Sequence, residues 1–193
     1  AEIIAAARQT NAAVLLPGNV YVYGAGMPEV IAPDTPHAAT NPLGRIRVDM
    51  EASYSASGVK TVILRAGDFL DTEASGNWFD RIIAPKAAKG LLTYPGPLDQ
   101  PHAWAYLPDA ARAAVALSQQ RDRLNRFEDV PFPGYTLSGE DLAAAISRAF
   151  GIKITVRSFN WSLMRLLRPF VPILGGLFEM RYLWSLPHEL DAR

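Results

Sequence analysis

The stretch Gly44-Arg-Ile-Arg-Val-Asp-Met-Glu-Ala-Ser-Tyr-Ser-Ala-Ser-Gly-Val-Lys-Thr-Val-Ile-Leu-Arg-Ala-Gly-Asp-Phe69 decides the fold. Its first half reads as a helix over 44–57. Ile46, Met50 and Tyr54 recur every four residues on one face, and Arg45–Asp49 and Arg47–Glu51 are spaced as surface ion pairs on the others. Gly58 supplies the stop. Val59 to Leu64 is then a short run rich in β-branched residues, suited to a strand buried on both faces, and Arg65-Ala-Gly-Asp-Phe69 is its exit loop. Helix, tight turn, strand and loop in this order is the rhythm of an open, doubly wound α/β sheet. Such sheets bind ligands at the carboxyl ends of their strands.

Upstream, residues 2–9 read as helix and Ala12 to Leu16 as a buried strand closed by Pro17-Gly18, followed by a Gly- and Pro-rich loop from Gly24 to Pro42. Segments 13–24 and 62–71 therefore cross the ligand edge. Downstream, Trp78 to Lys89 reads as helical, Leu91 to Tyr94 as extended and Ala103 to Leu107 as a short strand. Asp109, after Pro108, is placed as the cap of a helix reaching about Gln119. Ser138-Gly-Glu-Asp141 is a capping box that opens a helix over 139–150, with Leu142, Ile146 and Phe150 on one face and Gly151 as its stop. Ile152, Ile154 and Val156 alternate with polar residues, as in a half-buried strand. There is no internal repeat.

Composition removes several classes of function. Nineteen basic residues balance nineteen acidic ones in 193 residues, so no broad charge footprint for nucleic acid or an acidic surface is present. The chain has no Cys, and its His residues (His37, His102, His188) lie far apart in sequence, so no disulfide, thiolate chemistry or metal site is expected. The most apolar stretch, Trp161 to Trp184, carries Arg165, Arg168, Glu179, Arg181, Pro169 and Pro172, which excludes a membrane span. Buried helices of a substrate domain or a subunit interface are expected there, rather than a helix lying on a membrane. A cytoplasmic protein with a small-molecule partner is expected, with a homodimer open as an option. The opening Ala-Glu-Ile-Ile-Ala-Ala-Ala-Arg reads as the interior of a helix, so an upstream part is expected to precede it.

Four passages in this order resemble the NAD-dependent epimerase/dehydratase branch of the extended short-chain dehydrogenases. Val14-Leu-Leu-Pro-Gly-Asn-Val-Tyr-Val-Tyr-Gly24 is similar to the family's strand ending in a Ser-rich turn and Val-Tyr-Gly. Asn41-Pro-Leu-Gly-Arg-Ile-Arg-Val-Asp-Met-Glu51 is similar to its Tyr-Gly-x-Ser-Lys segment. Val62-Ile-Leu-Arg-Ala-Gly-Asp-Phe69 is similar to the strand and loop that border the nicotinamide, and Trp104-Ala-Tyr-Leu-Pro-Asp-Ala-Ala-Arg112 to the segment entering the next helix. Gly134-Tyr-Thr-Leu-Ser-Gly-Glu-Asp-Leu142 extends the match.

The resemblance implies the C-terminal part of a doubly wound, Rossmann-type parallel sheet plus a smaller α+β substrate region. Residues 1–75 and 102–120 would belong to the nucleotide-binding part, and 76–101 and 121–193 to the lid. It implies NAD or NADP for the complete protein. The family's Gly-rich pyrophosphate turn does not occur before residue 12, and Gly24-Ala-Gly26 leads into a Pro-rich loop that cannot open a helix, so tight dinucleotide binding is expected of the complete protein rather than of this segment.

The family's Ser-Tyr-Lys positions fall on Asn19, Leu43 and Arg47. Leu43 exchanges no proton, and Arg47 is a permanent cation suited to a ribose or phosphate but not to proton exchange. No Tyr in the chain has a basic residue four positions on, so a shifted register does not restore the mechanism. Asp68 and Tyr21 are the candidate replacements. Arg47, Arg65, Ala66, Gly67 and Phe69 are the candidate cofactor contacts. His102 and Trp104 could also face a substrate. Each has a plainer alternative: Asn19 as a turn residue, Arg47 in a surface pair with Glu51, Asp68 accepting loop amides, Tyr21 and Tyr23 as packing, Arg65 with a structural partner, His102 and Trp104 as core aromatics. An atypical reductase or epimerase acting on a sugar nucleotide or small carbonyl compound, a non-catalytic NAD(P) sensor or scaffold, and a helical interaction module in 158–185 all remain open at this point.

Overall fold

The computed structural model describes residues 2–192. Ten strands run in chain order: β1 (Val14–Gly18), β2 (Val30–Ile31), β3 (Thr61–Arg65), β4 (Asp68–Leu70), β5 (Leu91–Tyr94), β6 (His102–Tyr106), β7 (Phe127–Pro131), β8 (Tyr135–Leu137), β9 (Thr155–Ser158) and β10 (Glu189–Leu190). The α-helices are α1 (Glu2–Thr10), α2 (Pro42–Ala56), α3 (Leu107–Gln119), α4 (Gly139–Phe150), α5 (Trp161–Leu167) and α6 (Ile173–Glu179).

The main sheet is parallel, in the order β1-β3-β7, with Val14 opposite Thr61 and Thr61 opposite Phe127. Every residue of β3 is buried, as its continuous apolar run requires of a central parallel strand. A mixed sheet continues from it. β4 pairs parallel with β6, and β8 antiparallel with β6. β5 pairs with β9, and β10 with β2, both in parallel. Helix α4 begins at the expected capping box of Ser138 and Asp141 and ends at Gly151 in the left-handed conformation, φ 65°. The exit loop of β3 passes very close to β6. A Cβ on Gly67 would stand 2.1 Å from the Ala103 carbonyl oxygen, so only glycine fits.

Several expectations change. Phe127–Pro131 is an outer strand of the main sheet, and His102–Tyr106 is the centre of the mixed sheet. Asp109 is not the cap of α3. The helix starts at Leu107, Tyr106 holds the cap position, and Asp109 pairs with Arg112 one turn on. Trp78–Lys89 is not one α-helix but a π turn, Phe79–Ile83, and a short 3-10 turn, Ala87–Lys89. The strand placed at 152–156 runs from Thr155 to Ser158.

In α2 the expected apolar face turns inward only toward its end, where Tyr54 is buried. Ile46 is 62% exposed, whereas Glu51 is buried at 1% and pairs with Arg65, not Arg47. A buried charge pair inverts the rule that places charge outside and apolar groups inside. The segment 161–184 is also only partly buried. Trp161, Leu174, Met180, Leu183 and Trp184 are in the core, and Leu163, Leu166, Phe170 and Ile173 face solvent.

Candidate functional site

The carboxyl ends of β1 and β3 converge with β4, β6 and the turn before β10. Between them lies a cavity of about 140 Å³ lined by Asn19, Tyr21, Asp68, Phe69, His102 and His188, with the backbone of Gly18, Ala66 and Gly67 at its base. A larger hollow of about 700 Å³ includes Ala13, Val59, Lys60 and Arg126. It sits at the amino ends of β1 and β3, the edge opposite the one that serves ligands in open parallel sheets, whereas the smaller cavity holds the hydrogen-bonded Asp68–His102 pair.

Asn19 caps the 3-10 run Val20–Gly26, its side-chain oxygen accepting from the Tyr21 N–H at 3.1 Å, so its turn role and its place in the cavity coexist. Gly24 interrupts that run with φ 70° and packs on Ala39, so Gly24-Ala-Gly26 opens no helix. Burial first, and then the Asp68 carboxylate, push the Tyr21 phenol up to about 12, against the pull of Arg47. Tyr21 therefore stays protonated near neutrality and offers a hydrogen-bond donor, not a base.

Asp68 and His102 form the central pair. The β4–β6 register sets Asp68 beside Trp104, and His102 lies two residues back on the same face of β6. Their Oδ2 and Nε2 atoms are 2.8 Å apart, and the Asp68 side chain is 27% exposed against 4% for His102. The imidazole is held by aromatic neighbours. It stacks on Trp184 at 4.3 Å with an interplanar angle of 3°, and meets His188 edge-on at 4.5 Å. Trp104 is core, as the plainer reading had it, with its indole N–H donating to the Leu137 carbonyl at 3.2 Å.

His188 is 1% exposed, and its ring nitrogen Nδ1 donates to the Leu186 carbonyl at 3.0 Å. Burial first, then the His102 charge, lower its pKa from 6.5 to about 4. Between those two values the unfolded chain takes up a proton that the folded one refuses, so stability falls as pH drops through that window. The expected loss is about 3 kcal/mol. Urea denaturation at pH 7 and pH 4 measures it. The His188→Asn variant, which cannot take the proton, is expected to lose less over that interval, and an equal loss in both proteins would refute the assignment.

The other predicted residues lie around this cluster, not in it. Arg65 is fully buried and does not line the cavity. Its guanidinium donates to Glu51 at 2.7 Å, to both Asp129 carboxylate oxygens, and to the Asn19 carbonyl at 2.6 Å. His37 closes this network, 3.7 Å from Glu51 and 3.6 Å from Asp129. His37, Glu51 and Asp129 have the spacing of metal ligands, but the guanidinium already supplies the positive charge between the two carboxylates. Leu43 packs into the apolar cluster of Val20, Val22 and Met180. Its N–H and the Asn41 side chain both donate to Glu179, which fills the amino end of α2 with a carboxylate from α6. Arg47 is half-buried.

His102 and His188 were not singled out together by sequence, where 86 positions separate them. The readable signal was a histidine inside an apolar strand, which more often marks a satisfied core residue.

No protein-family model matches the chain, and no curated protein sequence matches it. Solved structures do. A GalE-like L-threonine dehydrogenase from Cupriavidus necator is similar over 99% of this chain and 67% of its own, with a TM-score of 0.75 and 20% identity. An L-threonine dehydrogenase from Phytophthora infestans is similar over 98% of this chain and 64% of its own, at TM-score 0.71 and 19% identity. MoeE5, solved in complex with UDP-glucose and NAD, is similar over 81% of this chain and 55% of its own, at TM-score 0.66 and 17% identity. The chain thus shares the Rossmann-type fold of these proteins, and spans about two thirds or less of their length.

Proposed function

We propose that this chain is the substrate-facing part of an NAD(P)-dependent oxidoreductase- or epimerase-like protein acting on a small carbonyl or hydroxyl compound. In this reading Asp68 exchanges the proton that Leu43 cannot. The observation that carries it is the Asp68–His102 pair opening on a cavity at the carboxyl edge of a parallel sheet.

The residues present fit the nicotinamide end of a dinucleotide. Ala66, Gly67 and Phe69 border the cavity, and Arg47, close enough to Tyr21 to act on its phenol, would hold a ribose or phosphate oxygen with its fixed charge. The pyrophosphate cradle, a Gly-rich turn opening a helix, is not among the described residues. When bound, a nicotinamide would supply hydride exchange with the substrate carbon. The chain's own part is acid–base. The half-buried Asp68 carboxylate takes or returns the proton of the substrate hydroxyl, His102 holds that carboxylate in place, and Tyr21 donates a hydrogen bond to the reacting oxygen.

Titrating the complete polypeptide with NADH and NADPH tests the cofactor half of this reading. Saturable enhancement of the reduced nicotinamide fluorescence is expected for at least one of them, and no response to either would overturn it. L-threonine, UDP-glucose and small aldehydes and ketones are the probes for turnover. A second reading, a non-catalytic NAD(P)-binding sensor or scaffold, is favoured by the packing of Leu43 and its N–H bond to Glu179, which leave no proton at that position. Cofactor binding without turnover of any probe selects it.

A further inference from the structure

His188 lines the same cavity as Asp68 and Tyr21, and the acid–base chemistry proposed above gives it no part. Its place is fixed from two sides. The backbone N–H donates to the Pro101 carbonyl at 3.1 Å, and the two residues that follow form β10, paired with Val30 and Ile31. The ring stands edge-on to His102 at 4.5 Å and is almost wholly buried.

One hydrogen bond settles which ring nitrogen carries the hydrogen. Nδ1 faces the Leu186 carbonyl oxygen at 3.0 Å, and a carbonyl only accepts, so the hydrogen is on Nδ1. Burial first, then the His102 charge, hold the pKa at about 4, so near neutrality the ring is uncharged and Nε2 is a bare lone pair. Among the described residues no group donates to that nitrogen. Nor is it sealed away. The described side-chain polar atoms that are both sealed and unpaired are Asp80 Oδ1 and the Tyr182 hydroxyl. Nε2 of His188 therefore reaches open space, and the space that His188 lines is the cavity.

A hydroxyl carries one hydrogen. In the proposed reaction that hydrogen passes to Asp68 while the oxygen accepts from Tyr21, so the reacting group has nothing left for a further acceptor. We propose that His188 selects the substrate: its Nε2 accepts a hydrogen bond from a second N–H or O–H group beside the reacting hydroxyl, so the compound is a vicinal diol or an amino alcohol rather than a simple alcohol. Asp68 and His188 both abut the His102 imidazole, at 2.8 Å and 4.5 Å, so two donors that answer both stand close together on the ligand. A buried acceptor that a ligand leaves unanswered is costly, and this is how a site rejects the analogue lacking the donor. The inference rests on the reading of Asp68 as the group that takes the hydroxyl proton.

The test uses three ligands of one shape, sec-butanol, propylene glycol and isopropanolamine, which differ only in a terminal methyl, hydroxyl or ammonium group. Each is titrated into the complete polypeptide carrying histidine labelled with the heavy nitrogen isotope in its ring. The His188 Nε2 resonance is expected to shift with the glycol, the amine or both and to stay in place with sec-butanol, and a responding ligand should bind roughly tenfold more tightly than sec-butanol. A response to the glycol alone assigns a hydroxyl donor, and a response to the amine alone an ammonium. In His188→Asn the amide nitrogen falls near Nδ1 and still serves Leu186, but no atom stands at Nε2. That variant should bind the three ligands alike, as read from the His102 ring resonance that it shares with the parent. Its thermal midpoint is measured alongside, and the comparison of ligands on the parent stands without it. No shift of His188 with either polar ligand, equal binding of all three by the parent, or a preference that survives in folded His188→Asn would each overturn the proposal and leave a cavity water as the partner of Nε2. None of these readouts needs turnover, whereas failure of the acid–base reading shows as full activity in Asp68→Asn, so the two failures are distinguishable.

Discussion

Arg65→Met is expected to cost about 3–5 kcal/mol of folding stability, read as a fall in the urea midpoint. The guanidinium is fully buried and answers two carboxylates, Glu51 at 2% side-chain exposure and Asp129 at 16%. Removing it leaves both acids without their principal counter-ion in a poorly solvated site, with only the more exposed His37 nearby. The penalty comes from the acids left behind and not from any large intrinsic worth of the pair, and a second variant separates these. Arg65→Met combined with Glu51→Gln and Asp129→Asn should recover a large part of the loss, because the uncompensated charges are gone. If the triple variant is as unstable as the single one, packing by the arginine stem is the main contribution, and the electrostatic account fails.

The same network sets an acid limit. Burial raises the Asp129 pKa, but hydrogen bonds from His37 and Arg65 outweigh it and hold the carboxyl below its ordinary range. A depressed carboxylate contributes stability that is present above its unfolded pKa and is lost as pH falls through the folded one. That step lies below the window assigned to His188, so the two are separable in a pH series.

The strand–loop stretch 59–69 was legible because a parallel strand buried on both faces writes itself as an uninterrupted apolar run, and its position at the ligand edge followed from chain order alone. The partners of Arg65 were not legible. Glu51 looked like one half of a surface pair with Arg47, since charge on a helix is normally solvated and Ile46 seemed to mark the inner face. Asp129 lies in Phe-Glu-Asp-Val-Pro131, whose acids disguise a sheet strand. Only the register that sets Ile63 beside Asp129, and Arg65 two residues on, makes the charges meet. His102 was hidden for the opposite reason. A histidine between apolar neighbours looks like core, and most of its ring is core, stacked on Trp184. Its bond to Asp68 depends on pairing between β4 and β6, which no local pattern encodes.

Asp68→Asn is expected to lower kcat/KM of the complete protein by about 10²–10⁴ on whichever probe turns over, with NAD(P)H binding unchanged. Asparagine keeps the size and a hydrogen-bonding oxygen for His102, but cannot take the substrate proton. His102→Gln is a different case, because at 4% exposure His102 acts through Asp68 rather than on the substrate. Its loss should lower kcat by less than Asp68→Asn does and leave KM nearly unchanged, since the carboxylate remains and loses only the bond that orients it. A purely structural role for His102 would lower the thermal midpoint and leave kcat unchanged at temperatures well below it. Tyr21→Phe should reduce turnover alike at every pH of the working range, because a phenol held near 12 does not titrate there. Full activity in Asp68→Asn would transfer proton exchange to water or the substrate, leaving the cavity a binding site whose chemistry owes nothing to the pair at its centre.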